Sequence, residues 1–363
     1  MHRVEILEHV ARRETVVGRD LSGIDLSGAD LRGGRFENCV FVGADFSRAD
    51  ISRTGFADCD FTGARFRETD FEKLNWTGMR MPQADLRGAR FFMTLCKDCD
   101  ARGADFSEAH IRMCDMAGMK LNGTKFLKAH IEQNVLQKAE CDGADFSGAT
   151  MIRLAFSESD MRSLQLAGAS LRKVIFRGCD FTGYNFAGIN MEIVQFDGAK
   201  LDNADFTGCE LPMCNFSGAS MNGASLRDAR MDNAVFAGAQ LVGVQLAGAR
   251  SRMSVFSEGD LSGADCTNAD LELSLFQKAR CRGTLFTGAA LNNVDFSYAD
   301  LSAADFSGAG LYMARLYKCL EEKTVFGKAR ETRLAPPDEE QARAEAFRPF
   351  TRRTRRRAGS AEL

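Results

Sequence analysis

At 363 residues an ordinary chain would divide into two or three domains, and 47 basic against 50 acidic residues leave a net charge of only −3. That balance gives no strong field toward nucleic acid or a membrane surface. No apolar run approaches the ~18 residues of a membrane-spanning helix, and no secretory leader pattern opens at Met1, so the expectation is a cytoplasmic protein.

In chain order, residues 1–20 come first and stand apart from the rest of the chain. Val4, Leu7 and Val10/Ala11 recur at helical spacing among Glu5, Glu8, Arg12 and Arg13. This predicts a short amphipathic helix, and Thr15-Val16-Val17 predicts a strand after it. The segment reads as an N-terminal cap.

From Leu21 to Leu316 every fifth residue is a landmark, with no insertion or deletion. Only Ala101 and Ser251 among these positions are not Leu, Phe, Ile, Met, Trp or Cys. Calling the landmark i, position i−2 is small (Ala29, Ala44, Ala64, Ala204), i−1 is often Asp (Asp30, Asp45, Asp105, Asp205), and i+2 is often Gly. A period of five fits neither a helix nor a strand. It fits a solenoid whose repeats bury their apolar residues only by stacking on one another.

The pattern resembles the pentapeptide-repeat family. The resemblance implies an all-β fold, a right-handed quadrilateral β-helix in which four pentapeptides make one square coil of 20 residues. Phe156, Phe176, Phe196, Phe216, Phe236, Phe256, Phe276 and Phe296 recur at that interval, while the column Met151, Leu171, Met191, Leu211, Met231 holds no Phe. The expectation is about 15 coils over residues 21–320, a rod on the order of 70 Å long at ~4.8 Å per strand. A solenoid grows along one axis, so its length does not demand splitting into domains. Its open ends expose apolar lumen and strand edges, which is why residues 1–20 read as a cap.

Pro82 and Pro212 fall at i+1, a corner that can forgo a ladder N–H. After Leu316 the beat fails, with Glu321 and Glu331 at i positions. Residues 321–363 read as an imperfect last coil around Phe326 and Ala329, a break at Pro336-Pro337, a short helix over 338–347 and a disordered basic tail through Arg352-Arg353-Thr354-Arg355-Arg356-Arg357.

Candidates for chemistry are few. All 12 cysteines fall at i (Cys96, Cys141, Cys266, Cys281) or at i−2 (Cys39, Cys59, Cys99, Cys114, Cys179, Cys209, Cys214, Cys319). Both are inward positions, so the expectation is small lumen fillers in a reducing compartment rather than disulfides. Cys96-Lys97-Asp98-Cys99 matches a CxxC motif but has no second pair at ligand spacing. His110 and His130 should stack one coil apart at i−1, between Arg90 and Thr150, and read as solvated corner residues. Ser170-Leu171-Arg172-Lys173 matches SxxK by letters only, because Leu171 is a lumen position. The recurrent glycines read as corner residues with positive φ rather than phosphate cradles. Asp60, Arg80, Asp100, Lys120 and Glu140 alternate in sign down one edge, which reads as cross-strand compensation. No catalytic residue, metal site, cofactor or small-molecule substrate is expected; the reading is a non-enzyme.

One pattern is not required by the fold. The i+2 corner of the wall at Leu21 is nearly all glycine, whereas the corner after the Leu31 wall holds none beyond Gly33. It carries Met93, Met113, Ile193, Met213, Met253 and Leu273, and the next outward column carries Leu95, Ile175, Val235, Val255 and Leu275. Three readings stand: a different turn type, a C-terminal segment lying back along the edge, or a stripe that binds a protein partner or a second copy of the rod. The stripe makes these eleven residues the candidate partner-binding site.

The function expected from this is a scaffold or adaptor that binds a protein along its apolar edge. The lead from Leu7-Glu8 to Gly18-Arg19-Asp20-Leu21-Ser22-Gly23 resembles that of long family members found with type VI secretion effectors and spike components, which would make the partner an effector or secretion component of a bacterial cell. The alternative implied by the family is a DNA mimic that binds or inhibits DNA gyrase or topoisomerase. A mimic needs a strongly acidic face, and this array is only mildly acidic.

Overall fold

The computed structural model describes residues 1–336; the helix expected over 338–347 and the basic tail lie outside the described residues. Helix α1 (Arg3–Ala11) and strand β1 (Thr15–Val17) lead into a parallel β-solenoid. β1 pairs with β2 (Arg35–Glu37), and β2 with β3 (Gly55–Ala57), each 20 residues on: Val16 opposite Phe36, Phe36 opposite Phe56. The same interval holds throughout, from Asp20 opposite Val40 to Asp305 opposite Val325.

The strands are less uniform than the sequence beat. Three-residue strands run from Thr15 to Glu192, about nine turns; beyond them single-residue bridges carry the ladder in the same register. Every strand lies on one of two adjacent walls. A seven-stranded sheet from Asp70–Glu72 to Asn190–Glu192 forms one, and the strands at Thr15, Arg35, Gly55, Val135, Ala155 and Ile175 lie on the next.

The landmark side chains fill the lumen. Phe196, Phe216, Phe236, Phe256 and Phe276 are fully buried, with successive centroids 4.6–5.2 Å apart. Such stacking sums to the dominant stabilising term, since each buried aromatic contributes its area plus an aromatic-pair increment of ~1 kcal/mol. Of the cysteines, eleven are buried and Cys319 is half-buried. The i−2 residues also have a polar task. Cys99, Cys209 and Cys319 donate Sγ–H to Trp76, Phe186 and Phe296 carbonyls, and Thr69, Thr124 and Thr284 repeat the bond through Oγ1. Each reaches the landmark carbonyl one coil below, so a small donor can replace alanine there without an unsatisfied group.

The aspartates at i−1 do more than compensate charge. Asp45, Asp105, Asp205 and Asp305 each accept the N–H two residues on at 2.8–2.9 Å, which closes the corner as an Asx-turn. Cross-coil ion pairs such as Arg80–Asp60 (3.4 Å) come on top of that role.

At the lower end, Ile6 and Val10 of α1 are buried over the first coils. Arg3 clamps the helix by donating to the Asp25 and Ser27 carbonyls. Gly34 lets it sit close: a Cβ there would lie 3.1 Å from Val10 Cγ2. At the upper end Phe326 stacks on Phe306 at 5.1 Å, ahead of a 3-10 turn over Gly327–Glu331. Among the described residues no helix is long and apolar enough to cross a membrane.

Candidate functional site: an apolar corner

The corner column runs between the two strand-bearing walls. From Arg53 to Met313 each of its residues has φ between 52° and 62°, the left-handed region. The same region is occupied by the glycines of the other corners, so the corner bend itself is shared. What differs is the hydrogen bonding of one stretch. At Cys214 and Ser274 the N–H closes the turn onto the Leu211 and Leu271 carbonyls, as it does at glycine corners such as Ala104 onto Ala101. Between Phe71 and Val194 that bond is absent among the described residues, and the wall is extended instead; the Cys114 N–H goes to Asn134 Oδ1 at 2.8 Å.

A different turn type therefore accounts for part of the lower corner and for none of Met213 or Leu273. Among the described residues, apart from Tyr298 and Ala303, every apolar residue other than glycine with positive φ lies in this one column: Met93, Met113, Ile193, Met213, Met253, Leu273 and Met313. A left-handed conformation costs an L-residue roughly 1–2 kcal/mol, most for a β-branched one such as Ile193.

None of the eleven candidate residues is buried. Met93, Leu95, Met113, Met213, Met253, Leu273 and Leu275 are exposed, Met253 by 52%. Ile175, Ile193, Val235 and Val255 are half-buried. Along the outward column, bridges link Val235 to Val255 and Val255 to Leu275, so these side chains stack at strand spacing. They do not make one unbroken band. Met93, Leu95 and Met113 form a lower block and Met213 to Leu275 an upper one, with Arg153 and Lys173 in the corner between them. Charged pairs flank both blocks: Arg112 and Arg153 meet Glu132 at 3.8 and 3.6 Å, and Arg252 pairs with Glu272 and Asp270. Each apolar block is thus bordered by charged pairs.

Cys96 and Cys99 are buried side by side, and their mutual hydrogen bond together with burial pushes the Cys96 thiol well up. Burial likewise pushes Cys114 to about 11 and Cys214 to about 12, away from the reactive thiolate. The His110 and His130 rings lie 6.0 Å apart. No group of three His, Cys, Asp or Glu side chains able to hold a metal occurs among the described residues.

The architecture thus defines a parallel β-solenoid with a 20-residue coil. Family models place it further: the pentapeptide repeat region matches residues 29–101, and pentapeptide repeats (8 copies) match 139–178, 175–211, 214–250, 254–293 and 284–320. The chain belongs to the pentapeptide-repeat family. No curated protein matches it. Among solved structures, a pentapeptide repeat protein of the Arabidopsis thaliana thylakoid lumen is 26% identical over 32% of this chain and 70% of its own, with a TM-score of 0.23. HetL, a pentapeptide repeat protein involved in heterocyst differentiation regulation in the cyanobacterium Nostoc, is 18% identical over 86% and 96%, with a TM-score of 0.17. Full-length QnrB1, a plasmid-mediated fluoroquinolone resistance protein, is 20% identical over 65% and 96%, with a TM-score of 0.25.

Proposed function

We propose that this protein is a non-enzymatic cytoplasmic scaffold that binds a protein partner along the corner from Met93 to Leu275. The observation that carries this reading is the column of exposed Met and Leu residues, with half-buried Ile193, held at positive φ, where glycine would be cheaper. Each such side chain contributes about 1.5–3 kcal/mol when fully buried against a partner, so a few suffice for useful affinity. Met suits the role because its unbranched thioether adapts to the surface it meets. The resemblance of the N-terminal lead supports a type VI secretion effector or spike component as the partner.

The test is the quadruple variant Met253→Ser, Val255→Ser, Leu273→Ser, Leu275→Ser, compared with the parent as bait in extracts of the native host with mass spectrometry. The variant is expected to fold, because none of the four lines the lumen, and to lose the partner or self-association seen with the parent. Unfolding would make these residues core, and retention of every parental interaction would remove the stripe from the binding surface. A DNA-mimic role at gyrase or topoisomerase predicts a dose-dependent effect on supercoiling at micromolar protein. The near-neutral charge leads us to expect none.

A further inference from the structure

Between α1 and the first three coils lies an open cleft of about 1010 Å³. One side of it is apolar, built from Leu7, Val10 and Ala11 of the helix. The rest is charged: Arg13, Arg32, Arg35, Arg53 and Lys73 against Asp30 and Glu72. Two of the cations are neutralised within the cleft, since Arg32 pairs with Asp30 at 2.6 Å and Lys73 with Glu72 at 2.7 Å. Arg13, Arg35 and Arg53 have no carboxylate at ion-pair distance among the described residues.

Among the described residues most arginines of the rod are paired, Arg172 being an exception. Arg48, Arg67, Arg87, Arg90 and Arg102 each hold a carboxylate at 2.5–2.9 Å. Three unpaired guanidinium groups around one cleft repel each other, and Asp30 and Glu72 are already engaged by Arg32 and Lys73. Arg35 is also left room to move. Its ladder neighbours are Thr15 below and Gly55 above, and a Cβ on Gly55 would meet nothing within 4 Å.

We infer that this cleft is a docking site for an acidic peptide segment carrying apolar side chains. The guanidinium fork matches a carboxylate in bidentate geometry, and Leu7 and Ala11, which keep exposed surface on the helix, take the apolar side chains between the acids. A partner of uniform negative charge, such as a nucleic-acid strand, fits less well. Its phosphates would pass Asp30 and Glu72 and would find no use for the apolar side. Spaced carboxylates avoid both faults.

The experiment is fluorescence anisotropy with the full chain and three labelled probes: a short peptide of alternating glutamate and leucine, the same peptide with lysine for glutamate, and a single-stranded oligonucleotide of matched charge. The Glu/Leu peptide is expected to bind, the lysine peptide not to bind, and the affinity to fall as salt shortens the screening length from ~30 Å toward ~8 Å. The triple variant Arg13→Ala, Arg35→Ala, Arg53→Ala is expected to weaken binding by about tenfold or more, while the stripe quadruple variant binds the probe as the parent does. Should the triple alanine variant fail to fold, the triple lysine variant carries the test. It keeps the charge but loses the fork, and a severalfold loss is expected. No binding of the acidic peptide, undiminished binding by the variant that folds, or tighter binding of the oligonucleotide would each overturn the assignment.

Discussion

The corner column that starts at Gly23 carries Gly43, Gly63, Gly103, Gly143 and Gly183 with φ between 64° and 70°. The column that starts at Gly33 has almost the same φ and carries Met93, Met113, Ile193, Met213 and Met253 instead. One backbone thus accepts both side-chain classes. In the first column the residue suits the dihedral; in the second it does so at a cost, and what it offers is a side chain reaching outward. The contrast separates what the solenoid needs in order to close from what it presents.

The strongest control on that contrast is a lumen residue. Phe236→Ala, between Phe216 at 4.9 Å and Phe256 at 4.8 Å, should cost about 3–5 kcal/mol in urea unfolding, whereas corner changes should stay well below that. A corner swap comes next. Gly183→Ile, where an added Cβ meets open space, should cost about 1–2 kcal/mol through the dihedral alone. The reverse change, Ile193→Gly, should cost nothing and gain up to about 1 kcal/mol, because glycine's larger chain entropy offsets part of the relief. A large loss on Ile193→Gly would show that this side chain is packed rather than presented. The smallest effect is electrostatic. Burial opposes the charge on Asp85, but hydrogen bonds from Arg87 and Arg67 hold its carboxyl at about 2. That stabilisation is present above the ordinary value of 3.8 and is lost as pH falls toward about 2. Asp85→Asn should flatten acid unfolding over that window by less than about 1 kcal/mol.

The lumen was legible because a period of five can be satisfied in few ways, and the structure buries each landmark from Leu21 to Leu311, the small Ala101 and Ser251 included. The i−2 donors at Cys99 and Thr69 were legible only as small residues; their bonds to the coil below depend on a carbonyl that becomes visible once coils are stacked. The corner bend was harder still. Positive φ at Ile193 or Leu273 contradicts local preference, so it follows from the ladder on either side rather than from the residue. The basic cleft was missed because it depends on where α1 lies against Gly34, which no repeat encodes. Its signal was Arg53 and Lys73 standing in the corner column between Gly33 and Met93.

The unbroken register from Asp20 to Val325 makes the molecule a ruler. Its graduations are about 4.8 Å apart, while an α-helix laid along the edge would present its own at about 5.4 Å per turn. The two scales slip by about 0.6 Å per coil, so a straight helix stays in phase for roughly four coils before it stands half a graduation out. The upper apolar block, from Met213 through Leu273, spans three coil spacings and so falls within that limit, and the charged Lys173 lies two coils below it, past Ile193. A longer partner would have to supercoil, kink or let go.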